Sequence, residues 1–185
     1  MCVAHSRLRV ICDQKGKPRK RRRVTVRKSV DADLAVLRKI EQAAIWEHVR
    51  PEAYRPSGAG RKAWERLPAE NLVAEVGNRV VGTAEYRAGI DPHEAPAVVV
   101  TDLGVLPEFQ GMGVAGALVE RIRRIGKREG FRKVYVSTTI DNLPAIAFHL
   151  KHGARVFHVT ETDGKGAGRW GLPTRFDVAF VYEIA

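Results

Sequence analysis

The part of the sequence that decides the fold is residues 98–116, which run VVVTDLGVLPEFQGMGVAG. Its three successive valines predict a strand over residues 97–105, and a nearly continuous apolar strand is typical of the middle of a sheet that is covered on both faces. The glycines of residues 110–116 then open an amphipathic helix over residues 114–128. Glycines let a ligand approach the backbone, and the N–H groups of a first helical turn favour an anion. The segment therefore predicts a site for a phosphate-bearing ligand.

Short strands, turns and helices surround this segment from residue 24 onward. Gly77 and Asn78 stand between two apolar runs and predict a hairpin with a two-residue turn. Asp31 or Asp33 is suited to cap the first helix, and Asn142 to cap the last. The remaining predicted strands cover residues 23–27, 72–76, 80–86, 133–137, 155–160 and 176–184. The remaining predicted helices begin at about residue 34 or cover residues 61–67 and 142–152. Loops are predicted over residues 50–60, over 91–96 and in the glycine-rich segment between the last two strands.

Three phosphate-binding motifs compete for residues 110–116. A P-loop requires Gly-Lys-Ser/Thr, which does not follow here. The dinucleotide fingerprint is literally present as Gly111, Gly113 and Gly116, but the next predicted strand, residues 133–137, is not followed by the acid that would hold a ribose. A Rossmann-type nucleotide enzyme is therefore the less favoured interpretation.

The third motif is Gln110-x-x-Gly113-x-Ala115, which resembles the pyrophosphate loop of the GCN5-related N-acetyltransferase (GNAT) family. A second likeness lies downstream, in Asp141-Asn142-x-x-Ala145-x-x-Phe148-His149-x-Lys151-x-Gly153. It resembles the family's Asn-led helix that ends in Lys-x-Gly. The two motifs occur in the family's order and at the family's separation, which makes the resemblance specific. It extends over about residues 24–185 and is strongest over 97–154.

The resemblance implies a fold and an activity. The fold would be a single α/β domain over residues 24–185, with a mixed, mainly antiparallel sheet flanked by helices. The activity would be direct transfer of an acetyl group from acetyl-CoA to a primary amine of a small molecule or peptide. A homodimer is left open. The alternative from another class is a non-catalytic acyl-CoA-binding sensor whose basic N-terminal tail binds nucleic acid.

The resemblance also implies which residues bind the cofactor. The backbone of the loop and first helical turn would hold the pyrophosphate of acetyl-CoA, the end of the central strand would pair with the pantetheine arm, and an amide on the opposite helix would reach the cofactor. The pyrophosphate would be held by Gln110, Gly111, Met112, Gly113, Val114, Ala115 and Gly116. The pantetheine arm would pair with Leu103, Gly104 and Val105, and the amide on the opposite helix is that of Asn142.

Three titratable side chains are candidates for the chemistry. The family often places a tyrosine as general acid at the position that His149 occupies here, and His149 shares a helix face with Asn142 because seven residues make nearly two turns. A histidine can donate a proton to the departing thiolate while it is protonated. Asp102 and Glu85 are carboxylates within apolar strands, and burial could raise the pKa of either and poise it as a base. We favour Asp102 slightly.

The net charge of +11 is concentrated at the N-terminus. Residues 1–23 hold nine of the 32 basic residues and one of the 21 acidic ones, so residues 24–185 carry only +3. We expect a flexible leader whose residues 15–23 could contact nucleic acid through phosphates without sequence specificity.

Cys2, His5 and Cys12 match no standard metal-ligand spacing, so no metal is predicted. Two cysteines suit a reducing cytoplasm, and no apolar run approaches the roughly 20 residues that span a membrane.

Overall fold

The strands form one mixed sheet in the part of the chain that the structure describes. This computed structural model describes residues 23–44, 69–91, 93, 95–161 and 176–184. The strands are β1 (Val24–Lys28), β2 (Glu70–Val76), β3 (Arg79–Ile90), β4 (Pro96–Val105), β5 (Lys133–Thr139), β6 (Arg155–Glu161) and β7 (Phe176–Glu183). They lie in the order β1-β2-β3-β4-β5-β7-β6. β4 therefore occupies the middle of the sheet, as its apolar sequence predicts.

All neighbouring strands in this sheet run antiparallel except β4 and β5, which run parallel. The parallel connection requires a crossover, and the helix that follows β4 supplies it. The mixed, mainly antiparallel α/β fold predicted from the sequence is confirmed.

The described helices are α1 (Leu34–Ala44), α2 (Val114–Arg128) and α3 (Leu143–Lys151). α2 buries its predicted stripe in the main core, with Val114, Leu118, Ile122 and Ile125 each at most 2% exposed. α1 packs on β3 and β4 from the other face, where Leu37 and Ile40 are buried outside that core cluster. Among the described residues, no helix combines the length and the apolarity that crossing a membrane requires.

The described strands and helices agree with the predicted ones to within a few residues at their ends. The hairpin turns at Gly77, whose φ of 66° is the left-handed conformation that such turns require. Asn142 caps α3 as expected, since its side chain accepts a hydrogen bond from the Ala145 N–H. The predictions for residues 1–22, 50–60, 61–67 and the loop between β6 and β7 lie outside the described residues.

The start of α1 differs from the prediction, because neither Asp31 nor Asp33 is its N-cap. A short 3₁₀ turn, Asp31–Asp33, precedes the helix and begins after Val30. The Asp33 carboxylate points back, accepting from the Val30 N–H at 2.8 Å and from two nitrogens of Arg27 at 2.6 and 3.0 Å. Hydrogen bonding from Arg27, and then from Val30, lowers the pKa of Asp33. The ion pair thus ties the helix start to β1.

Candidate active site

The first turn of α2 presents N–H groups that have no partner within the helix. Gly113 is the N-cap, with a φ of 85°, and Gly111 before it has a φ of 72°, so both adopt the left-handed conformation that glycine tolerates best. The first hydrogen bond of the helix joins the Ala117 N–H to the Gly113 carbonyl at 3.0 Å. The N–H groups of residues 114–116 precede it and are available to an anion, with the positive end of the helix dipole behind them.

The loop before α2 is attached to the end of β4 by Gln110. Its side-chain Nε2 donates to the Val105 carbonyl at 3.2 Å, and its backbone N–H donates to the Pro107 carbonyl. Val114 is 1% exposed in the core, which fixes the other end of the loop. Met112 between them is 37% exposed. The candidate phosphate loop is therefore anchored at both ends while its centre remains accessible.

β4 separates from β5 halfway along its length. The parallel register joins Val98 to Val134 and ends where Val100 meets Val136. Beyond this point β5 continues in register with β7, and residues 103–105 of β4 continue in register with β3. In the described part of the chain no strand register joins residues 103–105 to β5. This gap in the strand pairing, called the opening below, lies at the end of β4 that leads toward the start of α2.

A β-bulge at Thr101 brings both candidate bases to one face of the sheet. Glu85 on β3 lies opposite Asp102, whereas Tyr86 lies opposite Val100, so Thr101 is the extra residue. Without the bulge, strand alternation would turn Asp102 toward the core side that holds Val100. With it, Asp102 shares the α1 side of the sheet with Glu85. The structure therefore places the two carboxylates next to each other.

The surroundings of Glu85 are polar. Its carboxylate accepts a hydrogen bond from the Thr101 hydroxyl and lies 3.2 Å from the Arg87 guanidinium. Glu41 on α1 is a third carboxylate nearby. Partial burial raises the pKa of Glu41, and the negative charge of Glu85 raises it further. Several carboxylates thus face the space between α1 and the centre of the sheet.

Asn142 uses both ends of its side-chain amide locally. Its Oδ1 accepts from the Ala145 N–H at 3.3 Å, and its Nδ2 donates to the Thr138 hydroxyl at 3.0 Å. The residue therefore joins the start of α3 to the end of β5, next to the opening between β4 and β5. Its predicted contact with the cofactor stays a prediction.

His149 is buried in an aromatic pocket and is only 3% exposed. Its Nδ1 lies 2.7 Å from the Tyr182 hydroxyl oxygen, and its ring stacks on Phe180 with ring centroids 5.2 Å apart. Burial, and then the charge of His152, lowers the pKa of His149 to about 4. The imidazole is therefore mostly neutral at pH 7, and the role of His149 as a general acid stays a prediction.

His152 lies directly over the first turn of α2. A Cβ atom added to Gly116 would approach the His152 Cε1 to 2.7 Å. The ring of His152 also packs on Phe148 at a centroid distance of 4.5 Å. Burial, and then the charge of Lys151, lowers the pKa of His152. The imidazole therefore fills the space that a side chain at position 116 would otherwise occupy.

Three residues of this site were not identified by the sequence interpretation. Thr101 forms the bulge, His152 covers Gly116, and Tyr182 bonds to His149 from 33 residues away along the chain. Contacts over such a separation leave no spacing pattern in one sequence. His152 is the exception, because a local pattern could have found it. It follows Phe148 by four residues on a predicted helix, and that spacing places both side chains on one face.

Residues 36–154, well over half of the chain, match the family model described as the Acetyltransferase (GNAT) family. The fold is similar to that of a GNAT family acetyltransferase from Elizabethkingia anophelis with acetyl-CoA bound, with a TM-score of 0.62 and 15% identity over 86% of this chain and 97% of that one. It is also similar to the ribosomal-protein-S18-alanine N-acetyltransferase from Escherichia coli, with a TM-score of 0.60 and 17% identity over 88% and 95%.

A third similar structure is that of Arabidopsis thaliana Naa50 in complex with the bisubstrate analogue CoA-Ac-MVNAL. Its TM-score is 0.62, with 17% identity over 86% of this chain and 97% of that one. At identities this low, the structural likeness concerns the fold.

The burial of His149 predicts a loss of stability in acid. The unfolded chain takes up a proton on this residue near pH 6.5, whereas the folded chain does so only near pH 4. As pH falls from 7.5 to 4.5, His149 alone should therefore lower the free energy of unfolding by about 2–3 kcal/mol. Urea unfolding of His149→Gln at both pH values should show a correspondingly smaller loss. His93→Gln, at an exposed position, is the control and should lose as much stability as the wild type. An equal loss of unfolding free energy in the wild type and in His149→Gln would contradict the prediction.

The contact between Gly116 and His152 predicts that two substitutions are coupled. Alanine in a helix ordinarily stabilises it by about 0.5–1 kcal/mol relative to glycine. Next to His152, Gly116→Ala should instead be neutral or destabilising, because the ring or the helix must shift. In a His152→Ala background the same change should stabilise, giving a coupling of about 1–2 kcal/mol by urea unfolding. Identical effects of Gly116→Ala in both backgrounds would show that the contact is absent in solution.

Proposed function

The chain belongs to the GNAT family of acetyltransferases, and from that premise we propose that it transfers an acetyl group directly from acetyl-CoA to a primary amine of a small molecule or peptide. Family membership makes it an N-acetyltransferase with acetyl-CoA as co-substrate. The observation that carries the proposal for the site is the opening between β4 and β5, which leads to the N–H groups at the start of α2.

The pyrophosphate of acetyl-CoA is proposed to bind at residues 110–116. The support is the N–H groups of the first turn of α2, which have no partner within the helix and are aligned with its dipole, together with the anchoring of the loop by Gln110. Backbone donors suit this task because they hold an anion without adding net charge. That agrees with a domain that carries only +3 over residues 24–185.

The pantetheine arm is proposed to lie along residues 103–105. Its amide groups can hydrogen-bond as a short strand does, and the β5-facing edge of this segment has no strand neighbour in the described part of the chain. In this arrangement the arm would run from the start of α2 into the opening, and the thioester would reach the level where β4 and β5 diverge.

The attacking amine must lose a proton before it can react. For a lysine-like amine with a pKa near 10.4, neutralisation at pH 7 costs about 4–5 kcal/mol, and for an α-amine about 1 kcal/mol. We propose that Asp102 or Glu85 accepts this proton, directly or through water. The support is their adjacency on one face of the sheet at the bulge, next to the point where β4 and β5 part.

The leaving sulfur requires a hydrogen-bond donor that is present at neutral pH. His149 is neutral there, since burial lowers its pKa to about 4, so an imidazolium cannot supply the proton. We propose that His149 acts instead as an uncharged N–H donor to the sulfur, through Nε2. The proton that finally resides on the thiol then comes from solvent or from the amine.

Turnover with a panel of amines tests the proposed function. Release of free thiol from acetyl-CoA should depend on the amine, and acetylated products should be detectable by mass spectrometry. We further propose that residues 24–185 form the catalytic domain, so a chain starting at Val24 should bind acetyl-CoA as the full chain does. Binding of acetyl-CoA without turnover of any amine in a broad panel would instead favour a non-catalytic sensor.

Replacement of the candidate bases should separate their roles. Asp102→Asn or Glu85→Gln, whichever removes the base, should lower kcat by roughly 100-fold at pH 7 while the KM for acetyl-CoA stays unchanged. The loss should shrink as pH rises, because solvent then deprotonates the amine. Glu120→Gln on the exposed side of α2 is the matched control. Wild-type kcat at pH 7 in both Asp102→Asn and Glu85→Gln would contradict a carboxylate base at this position.

A further inference from the structure

The hydrogen bond between His149 and Tyr182 joins two buried side chains. Tyr182 on β7 is 1% exposed and His149 on α3 is 3% exposed. Their bond, 2.7 Å between Nδ1 and the hydroxyl oxygen, is the one hydrogen bond that either side chain makes to the described residues. Each group therefore depends on the other to satisfy its hydrogen-bonding capacity.

The direction of this bond follows from the hydrogen atoms available. A neutral imidazole carries its proton either on Nδ1 or on Nε2. If Nδ1 carried it, the Tyr182 oxygen would accept and its own O–H would remain a buried donor without a partner. If Nε2 carries it, Tyr182 donates to Nδ1 and the buried O–H is satisfied. In the first arrangement the O–H and the Nε2 lone pair both lack a partner among the described residues, whereas in the second only the Nε2 N–H does. The second arrangement leaves fewer buried polar groups unsatisfied and is therefore favoured.

The ring cannot easily rotate to exchange its two nitrogens. Phe180 stacks on one side at an interplanar angle of 27°, and Phe148 approaches at a centroid distance of 5.1 Å and an angle of 69°. With Nδ1 held by Tyr182, the orientation of the ring is fixed and Nε2 is left without a hydrogen-bond partner among the described residues.

We infer that Tyr182 is a positioning residue that holds His149 in the tautomer protonated at Nε2, so that this N–H can donate to the sulfur of acetyl-CoA. The inference rests on the role proposed for His149 above. No covalent step involves Tyr182. Burial raises the pKa of its phenol well above the usual range, so the hydroxyl keeps its proton throughout the reaction.

The tautomer can be observed directly in the full-length chain. With ¹⁵N-labelled histidine, NMR correlations between ring nitrogens and carbon-bound ring protons distinguish a protonated from an unprotonated nitrogen. The chain has six histidines, and the spectrum of His149→Phe identifies the signals of His149 by their absence. We expect an unprotonated Nδ1 and a protonated Nε2 in the wild type. A protonated Nδ1 in the wild type would overturn the inference even if no variant at position 182 folds.

Tyr182→Phe tests whether the hydroxyl causes this tautomer. We expect a shift of His149 toward the form protonated at Nδ1, and a fall in kcat of about fivefold, which is the effect of one hydrogen bond, with the KM for acetyl-CoA unchanged. Tyr86→Phe is the matched control, because it removes another buried hydroxyl, one bonded to Glu70, and should leave kcat unchanged. An unaltered His149 tautomer in Tyr182→Phe would overturn the inference.

Variants of His149 itself keep the inference and the proposed function distinguishable. His149→Phe should lower kcat, whereas His149→Tyr, which restores a neutral O–H donor, should retain most of it. If His149→Phe has wild-type kcat while Tyr182→Phe still shifts the tautomer in the wild-type background, the positioning by Tyr182 stands and the proposed role of His149 fails. If His149→Phe loses activity and Tyr182→Phe changes neither the tautomer nor kcat, the proposed role of His149 stands and the positioning by Tyr182 fails.

Discussion

The separation of β4 from β5 after Val100 is the constraint on which the rest of the site depends. Two parallel strands that share hydrogen bonds over only three residue pairs leave one edge of β4 open in the centre of the sheet. The open edge ends at Val105, and the chain then runs through residues 106–113 to the first N–H groups of α2. The same strand thus offers an extended edge to the proposed pantetheine arm and leads to the proposed anion site, and a CoA thioester requires both features.

The bulge at Thr101 brings the two proposed bases, Asp102 and Glu85, to one face of the sheet. One extra residue changes which face of β4 each later side chain occupies, and so Asp102 leaves the core side and comes to lie opposite Glu85. The apolar positions after the bulge, Leu103 and Val105, face the main core with α2. A single insertion in the register therefore accounts both for the apolar packing of the end of β4 and for the pair of carboxylates on its other face.

Much of the fold could be predicted from the sequence because its signals are local. The helical stripe of α2 and the Gly77 turn each lie within a few residues, and both were found where the periodicity and turn chemistry place them. The bulge could not be predicted, because it depends on which residue of β3 faces each residue of β4. The neutral state of His149 was missed for a related reason. Its pKa is lowered mainly by burial, and the β7 residues that pack on it, Phe180 and Tyr182, reach it only through the strand order β5-β7-β6.

In the role proposed for His149, the requirements of the leaving sulfur explain why a histidine in this pocket needs a partner on β7. A phenol has one donor atom, so a tyrosine at this position, where the family often has one, presents its O–H in one orientation. An imidazole has two nitrogens, and only one of its neutral tautomers donates from a given edge. Protonation would make both nitrogens donors, but burial opposes the charge. A buried hydroxyl that donates to Nδ1 resolves this choice without charge, and Tyr182 carries the hydroxyl that lies 2.7 Å from Nδ1.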